Sequence, residues 1–97
     1  MHTAKTAPSY LISVIDDCAA LGDTAGLRAR AQRAHAKWHA AFARCDLRRA
    51  SLWGAVANAY AASADAVRSR LDGGIAIAMA HEDRAAEYLT RLAMVRS

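Results

Sequence analysis

The sequence predicts an all-α protein, a compact antiparallel bundle of three to four helices. Three observations carry that expectation. Alanine supplies 26 of the 97 residues and arginine is the dominant cation, and both are strong helix formers. One proline and five glycines leave few places where a helix must stop. Larger apolar side chains recur at three- and four-residue spacing, while the short alternation from Ile75 to Met79 has no second strand to pair with. The length suits one domain, and the 27 apolar or sulfur side chains larger than alanine suffice for one modest core.

The elements follow in order. Residues 1–7 read as a flexible arm and 8–97 as a single helical domain. Pro8 suits a first helical turn, where its missing N–H costs nothing. Leu11, Val14, Ile15, Cys18 and Leu21 then form one apolar face. Gly22 ends this helix and Asp23 or Thr24 caps the next, giving a first helix over about 8–21. From Thr24 to Asp72 there is no proline, and the glycines are Gly26 and Gly54. One stripe runs through Leu27, Ala31, Ala34, Trp38, Ala41, Phe42 and Cys45, and another through Leu52, Val56, Tyr60, Ser63, Val67 and Leu71. A single helix over both would be about 74 Å long at 1.5 Å per residue, too long for a compact body of this size. The stripe also fails at Arg48 and Arg49, so a break belongs near 45–50 with Asp46 as cap. The second and third helices are therefore expected at 24–45 and 47–72, with one bent or continuous long helix over 24–72 as the alternative, and Gly73-Gly74 ends this stretch.

The last segment admits two readings, one helix over 75–95 or a helix over 82–95. In the longer helix Ile75, Met79, Ala86, Leu89 and Ala93 share a face, and Glu82 falls inside it, an expensive place for a carboxylate. A turn near His81 instead puts Glu82 and Asp83 at a helix N-terminus and Arg91 and Arg96 toward its C-terminus, matching the helix dipole. That argument favours 82–95. With so few bulky side chains, Trp38 and Trp53 matter disproportionately. If both are core, replacing either by alanine costs about 3–5 kcal/mol.

Composition excludes several classes of function. Charged residues make up 23% with both signs present, unlike a disordered chain. No run of about 18 apolar residues exists to span a bilayer. The apolar stretch Tyr10–Ile15 is cut off by Asp16 and Asp17, too soon for a secretory signal. Cys18 and Cys45 have no CxxC spacing, so two free, mostly buried thiols in a reducing cytoplasm are expected.

The formal net charge is +4, and it is unevenly placed. Arg28 to Arg49 hold seven cations against the single acid Asp46, so the rest of the chain is slightly acidic. Arg30, Arg33, Lys37, Arg44 and Arg48 fall within about 60° of arc at 100° per residue, and they are the candidate partner-binding residues. Such a row suits phosphates or an acidic protein face. No aromatic residues interleave with it along the helix, which argues against single-strand stacking.

Catalytic and metal chemistry find less footing. His35 and His39 share a helical face as metal pairs do, but Cys45 points about 120° away and no third ligand is placed by spacing. Two partly exposed imidazoles flanking Trp38 are the simpler reading, and no metal or cofactor is expected. Glu82 and Asp83 are adjacent on a helix and so point apart. Ser51, Ser63 and Ser69 have no readable histidine–carboxylate partners, and no glycine-rich phosphate loop occurs. Trp53, Val56, Ala57 and Tyr60 have a local spacing like a tetratricopeptide first helix, but position 87 is Glu87 and no 34-residue repeat follows.

The expected function is that of a small non-enzymatic interaction protein docking one face on a protein or ribonucleoprotein partner. A regulator or inhibitor from a phage or mobile element, acting on a host nuclease complex, is a narrower version. The alternative is a nucleic-acid-binding accessory using the basic face. Alanine-rich faces with Trp38, Phe42, Trp53, Tyr60 and Tyr88 can also supply a homodimer seam.

Overall fold

A computed structural model describes the backbone of residues 3–96 and the side chains of residues 9–94. Four helices follow one another: α1 (Thr3–Ala20), α2 (Thr24–Ala43), α3 (Leu47–Leu71) and α4 (Ile75–Arg96). The expected arm at 1–7 falls partly outside the described residues, and the backbone is already helical from Thr3, five residues before Pro8.

Three corners of three residues each set the topology, and all three close in the same way. In each, the second residue takes a left-handed backbone: Gly22 at φ 66°, Cys45 at 60° and Gly73 at 84°. The amide that follows it reaches back five residues to a helix carbonyl. Asp23 N–H donates to Cys18 O at 2.8 Å, Asp46 N–H to Ala41 O at 2.9 Å, and Gly74 N–H to Ser69 O at 2.8 Å. These bonds satisfy carbonyls that a helix end leaves open. Asp23 and Asp46 then start α2 and α3 by accepting the backbone N–H of Gly26 (2.8 Å) and Arg49 (3.2 Å). The break between α2 and α3 therefore falls where the double arginine and Asp46 place it.

Cys45 is the one corner residue with a β-carbon where glycine stands in the other two. An L-residue in that region costs roughly 1–2 kcal/mol, partly offset by the greater entropy glycine loses on folding. Cys45→Gly is expected to raise stability by about 0.5–1 kcal/mol in chemical denaturation. An unchanged midpoint would mean the corner is not strained.

α3 is the central helix. Among the described residues α2 and α4 pack along it and not on each other, and α1 touches all three more lightly. The principal extents of 41 × 31 × 20 Å fit this plan: the long axis matches α3, the middle one matches three helices abreast, and the short one matches two layers. Counting outward equally from the 45/46 corner pairs Ala41 with Ala50, Ala34 with Ala57, and Leu27 with Ala64. All six are buried, and the repeated alanines allow α2 and α3 to approach closely. On α4 the buried positions Ala78, Ala85 and Leu92 recur every seven residues. A second face of α3, through Leu52, Val56, Tyr60 and Val67, packs with Leu11, Ile15 and Cys18 of α1 to complete the core.

α4 corrects the reading of the C-terminal segment. It is one continuous helix, so the 82–95 helix with a turn at His81 does not form, and Glu82 and Asp83 lie mid-helix rather than at its start. Nor does the predicted face hold. Ile75 and Met79 are about half exposed, and the inward face runs instead through Ala78, Ala85 and Leu92. That register turns Glu82 to the edge, where its two oxygens accept from Arg70 at 2.6 and 2.8 Å. Hydrogen bonding to Arg70 holds the Glu82 carboxyl below its ordinary range. The cost of burying Glu82, which favoured the shorter helix, therefore never arises. On the α3 side opposite Val56, Asp65 receives Arg28 from α2 (2.9 Å) and Arg84 from α4 (3.6 Å), clipping the three-helix layer together.

The aromatic and thiol expectations divide. Cys18 is buried, but Cys45 is exposed at its corner. Trp38 and Trp53 are both half-buried rather than core, so alanine at either position removes less packing than a fully buried ring would. Trp38 lies over Gly54, where a β-carbon would come within 3.2 Å of its indole, which explains a glycine inside α3.

Candidate functional site

Between the first half of α1, the middle of α2 and the first half of α3 lies a cleft of about 700 Å³. α2 builds one wall. Arg30, Arg33 and Lys37 lie three and four residues apart and so stack on one side of the helix. α3 builds the facing wall with Arg49, Trp53, Val56 and Tyr60, again at three- and four-residue steps. α1 closes one end with Tyr10 and Leu11. The two long walls are in register because they are equidistant from the α2–α3 corner. Lys37 comes opposite Trp53, with its ammonium 4.9 Å from the ring centroid. Arg30 comes opposite Tyr60, close enough for its charge to act on the phenol.

The charge of the cleft is one-sided, with four cations and no carboxylate in its lining. Elsewhere four cations are paired with acids, Arg28 and Arg84 with Asp65, Arg68 with Asp72 and Arg70 with Glu82, while the dispersed Arg44, Arg48 and Arg91 have no carboxylate within 4.0 Å among the described residues. Among the described residues, Arg30, Arg33 and Lys37 have no carboxylate within 4.0 Å. Arg49 has Asp46 at 3.5 Å, a loose pair at a helix start. Arg30 reaches back to the Gly26 carbonyl at 3.4 Å, a long contact to an uncharged group that leaves its positive charge unbalanced. Burial raises the Tyr60 phenol above its ordinary value, and the charges of Arg30 and Arg33 only partly offset this. Tyr60 is therefore a neutral hydroxyl at physiological pH, and the positive charge is left for an anion to meet.

Of the five candidate partner-binding residues, the structure brings Arg30, Arg33 and Lys37 together at this cleft. Arg44 caps the end of α2 and Arg48 lies exposed in the first turn of α3, and neither lines it. The helix break at the corner divides the row that a continuous helix would have extended. Arg49, Tyr10, Trp53 and Tyr60 were not among the candidates, because a stripe on one helix shows one wall only. The missed signal was the antiparallel fold-back, which sets Trp53 and Tyr60 opposite Lys37 and Arg30. Aromatic side chains therefore do face the cations, across the cleft rather than along the helix.

A second surface group lies on another side of α2. His35 stacks on Trp38 at 5.3 Å, Phe42 stacks on the same indole at 5.5 Å, and His39 meets it edge-on at 4.6 Å. The imidazoles thus flank Trp38 as expected. Among the described residues no three His, Cys, Asp or Glu side chains converge as a metal site requires. No described helix is long and apolar enough to cross a membrane. Comparison with family models, curated proteins and solved structures returns no match to this chain. The fold and the cleft define the class: a small four-helix protein with a cationic, aromatic-walled groove.

Proposed function

We propose that this is a non-enzymatic interaction protein that docks by receiving an anionic segment of a macromolecular partner in the α1–α2–α3 cleft. The observation that carries the reading is the unneutralised charge. Arg30, Arg33 and Lys37 share one concave site without a carboxylate, while Arg28, Arg68, Arg70 and Arg84 are paired with acids. Like charges held this close repel one another, and an incoming anion relieves that repulsion as it binds. Binding without chemistry suits a regulator or inhibitor, which acts by occupying a segment that its target needs.

Two charge-reversed variants test the assignment. One changes Arg30, Arg33, Lys37 and Arg49 to glutamate. The other changes Arg44, Arg48, Arg68 and Arg91, altering net charge equally but leaving the cleft intact. Retention on immobilised polyanions, single-stranded DNA and polyglutamate, is measured at low salt with helicity checked by circular dichroism. The cleft variant is expected to lose retention and the control to keep most of it. Equal loss in both would show a diffuse charge effect. No retention of the unaltered protein on either matrix would sink the reading.

A further inference from the structure

We infer that the anionic segment taken by the cleft is a short stretch of single-stranded nucleic acid, with phosphates against the α2 wall and bases laid on the rings of Trp53 and Tyr10. The inference rests on the docking reading above and adds the chemistry of the partner.

What the cleft offers to a ligand decides between polyanions. Most of its aliphatic lining is covered by the protein: Leu11 is 7% exposed, Ala34 3% and Leu92 5%, and Leu52 and Val56 are partly buried. An acyl chain or the apolar face of a peptide helix would find only the free parts of Leu52 and Val56 as aliphatic surface there. Ring faces and cations are what remain accessible. Tyr10 is 72% exposed, Trp53 is partly exposed, and Arg33, Lys37 and Arg49 stand in solvent. An acidic peptide would satisfy the cations and leave the rings unused, whereas a nucleotide strand carries a charge and a flat π-face in every unit.

Spacing and shape agree. Arg30, Arg33 and Lys37 extend over seven residues of α2, about 10 Å of helix axis. A stacked strand with one phosphate per 3.4 Å sets about three phosphates along that length. Three of the four cations are arginine, whose planar fork matches phosphate oxygens. Trp53 lies between helices rather than on a convex surface, so a duplex, whose base faces are closed by pairing, cannot reach it. A strand can enter edgewise. Lys37 already covers one side of Trp53, so a base takes the other face or displaces the ammonium onto its own phosphate.

The test uses Trp38→Phe as background, leaving Trp53 as the chain's one tryptophan. Fluorescence is titrated with an oligothymidylate of about eight residues, a duplex and a glutamate peptide of matched length, and vesicles of phosphatidylcholine with phosphatidylglycerol. The single strand is expected to bind tightest and quench Trp53. Its log–log salt slope should be about −2 to −3, as three to four released counterions give on single strands. Trp53→Leu, measured by anisotropy of labelled oligonucleotide, and Tyr10→Leu, at an exposed position that tolerates change, should each weaken binding about tenfold with little change of slope. If the glutamate peptide, duplex or vesicles bind as tightly as the strand, or if both ring variants bind normally, the nucleic-acid assignment fails. The docking reading still stands in that case, provided the cleft charge reversal abolishes whichever binding is seen. If none of the four probes binds, both fail together.

Discussion

Leu27→Ala is expected to lower the unfolding free energy by about 3–4 kcal/mol and the thermal midpoint by roughly 15–25 °C. Leu27 is wholly inaccessible and is the largest fully buried side chain among the described residues. Its neighbours make the loss hard to repair. Across the seam stands Ala64, also 0% exposed, and the next two levels of the α2–α3 contact are alanine against alanine. Short side chains on helices already packed closely cannot swing in to fill a vacated volume, so most of the cavity persists. For a domain whose whole stability is about 5–15 kcal/mol, that is a large fraction. Thermal and urea melts of the variant check it. A midpoint within about 5 °C of the parent would show that the seam relaxes, and that the core does not depend on this one leucine.

The second large effect has the opposite sign of volume. Ala59→Leu should destabilise by about 3 kcal/mol, because Ala59 is 0% exposed within the core cluster on a helix with neighbours on both flanks and one face. Three added carbons must either leave their preferred rotamers or push α3 away from a neighbour. Ala86→Leu is the matched control: the same change on an exposed position of α4 should move stability by no more than about 0.5 kcal/mol. A melt in which both variants behave alike would contradict close packing around α3.

Both expectations concern alanine, and alanine is also why parts of the architecture could not be read from the chain. The corners were legible because they rest on local chemistry: Gly22, Gly73 and Asp46 each carry a backbone requirement or a cap that is visible in isolation. The 45/46 break followed as the favoured reading, with helix number left at three to four. The course of α4 did not. Apolar periodicity there was written mostly in alanine, which sits equally well on a buried or an exposed face. The larger residues Ile75, Met79 and Leu89 pointed to one register, while the buried Ala78 and Ala85 chose another. Glu82 then found Arg70, a partner twelve residues away that no periodicity supplies. Similarly, the Leu52–Val67 stripe revealed the face of α3 that meets α1, while the alanines that meet its other neighbours were silent.

The cleft was half legible for a related reason. Three cations at helical spacing announce a wall, and Arg30, Arg33 and Lys37 are that wall. The opposite wall depends on which residues the hairpin brings level. Once the corner is fixed, equal counting in both directions from Cys45 finds Trp53 for Lys37 and Tyr60 for Arg30. Arg44 and Arg48 belonged to the same arc only on an unbroken helix, and the corner that gives the cleft its depth is what removes them from it.

Trp53 stands in a pocket of concentrated positive charge, and quenching of its fluorescence by small ions tests this without any partner. In the Trp38→Phe background, iodide should quench Trp53 several-fold more efficiently than caesium. The difference should shrink as salt screens the cleft, and should reverse when Arg30, Arg33, Lys37 and Arg49 are glutamate. Equal quenching by the two ions at low salt, or stronger quenching by caesium, would contradict it.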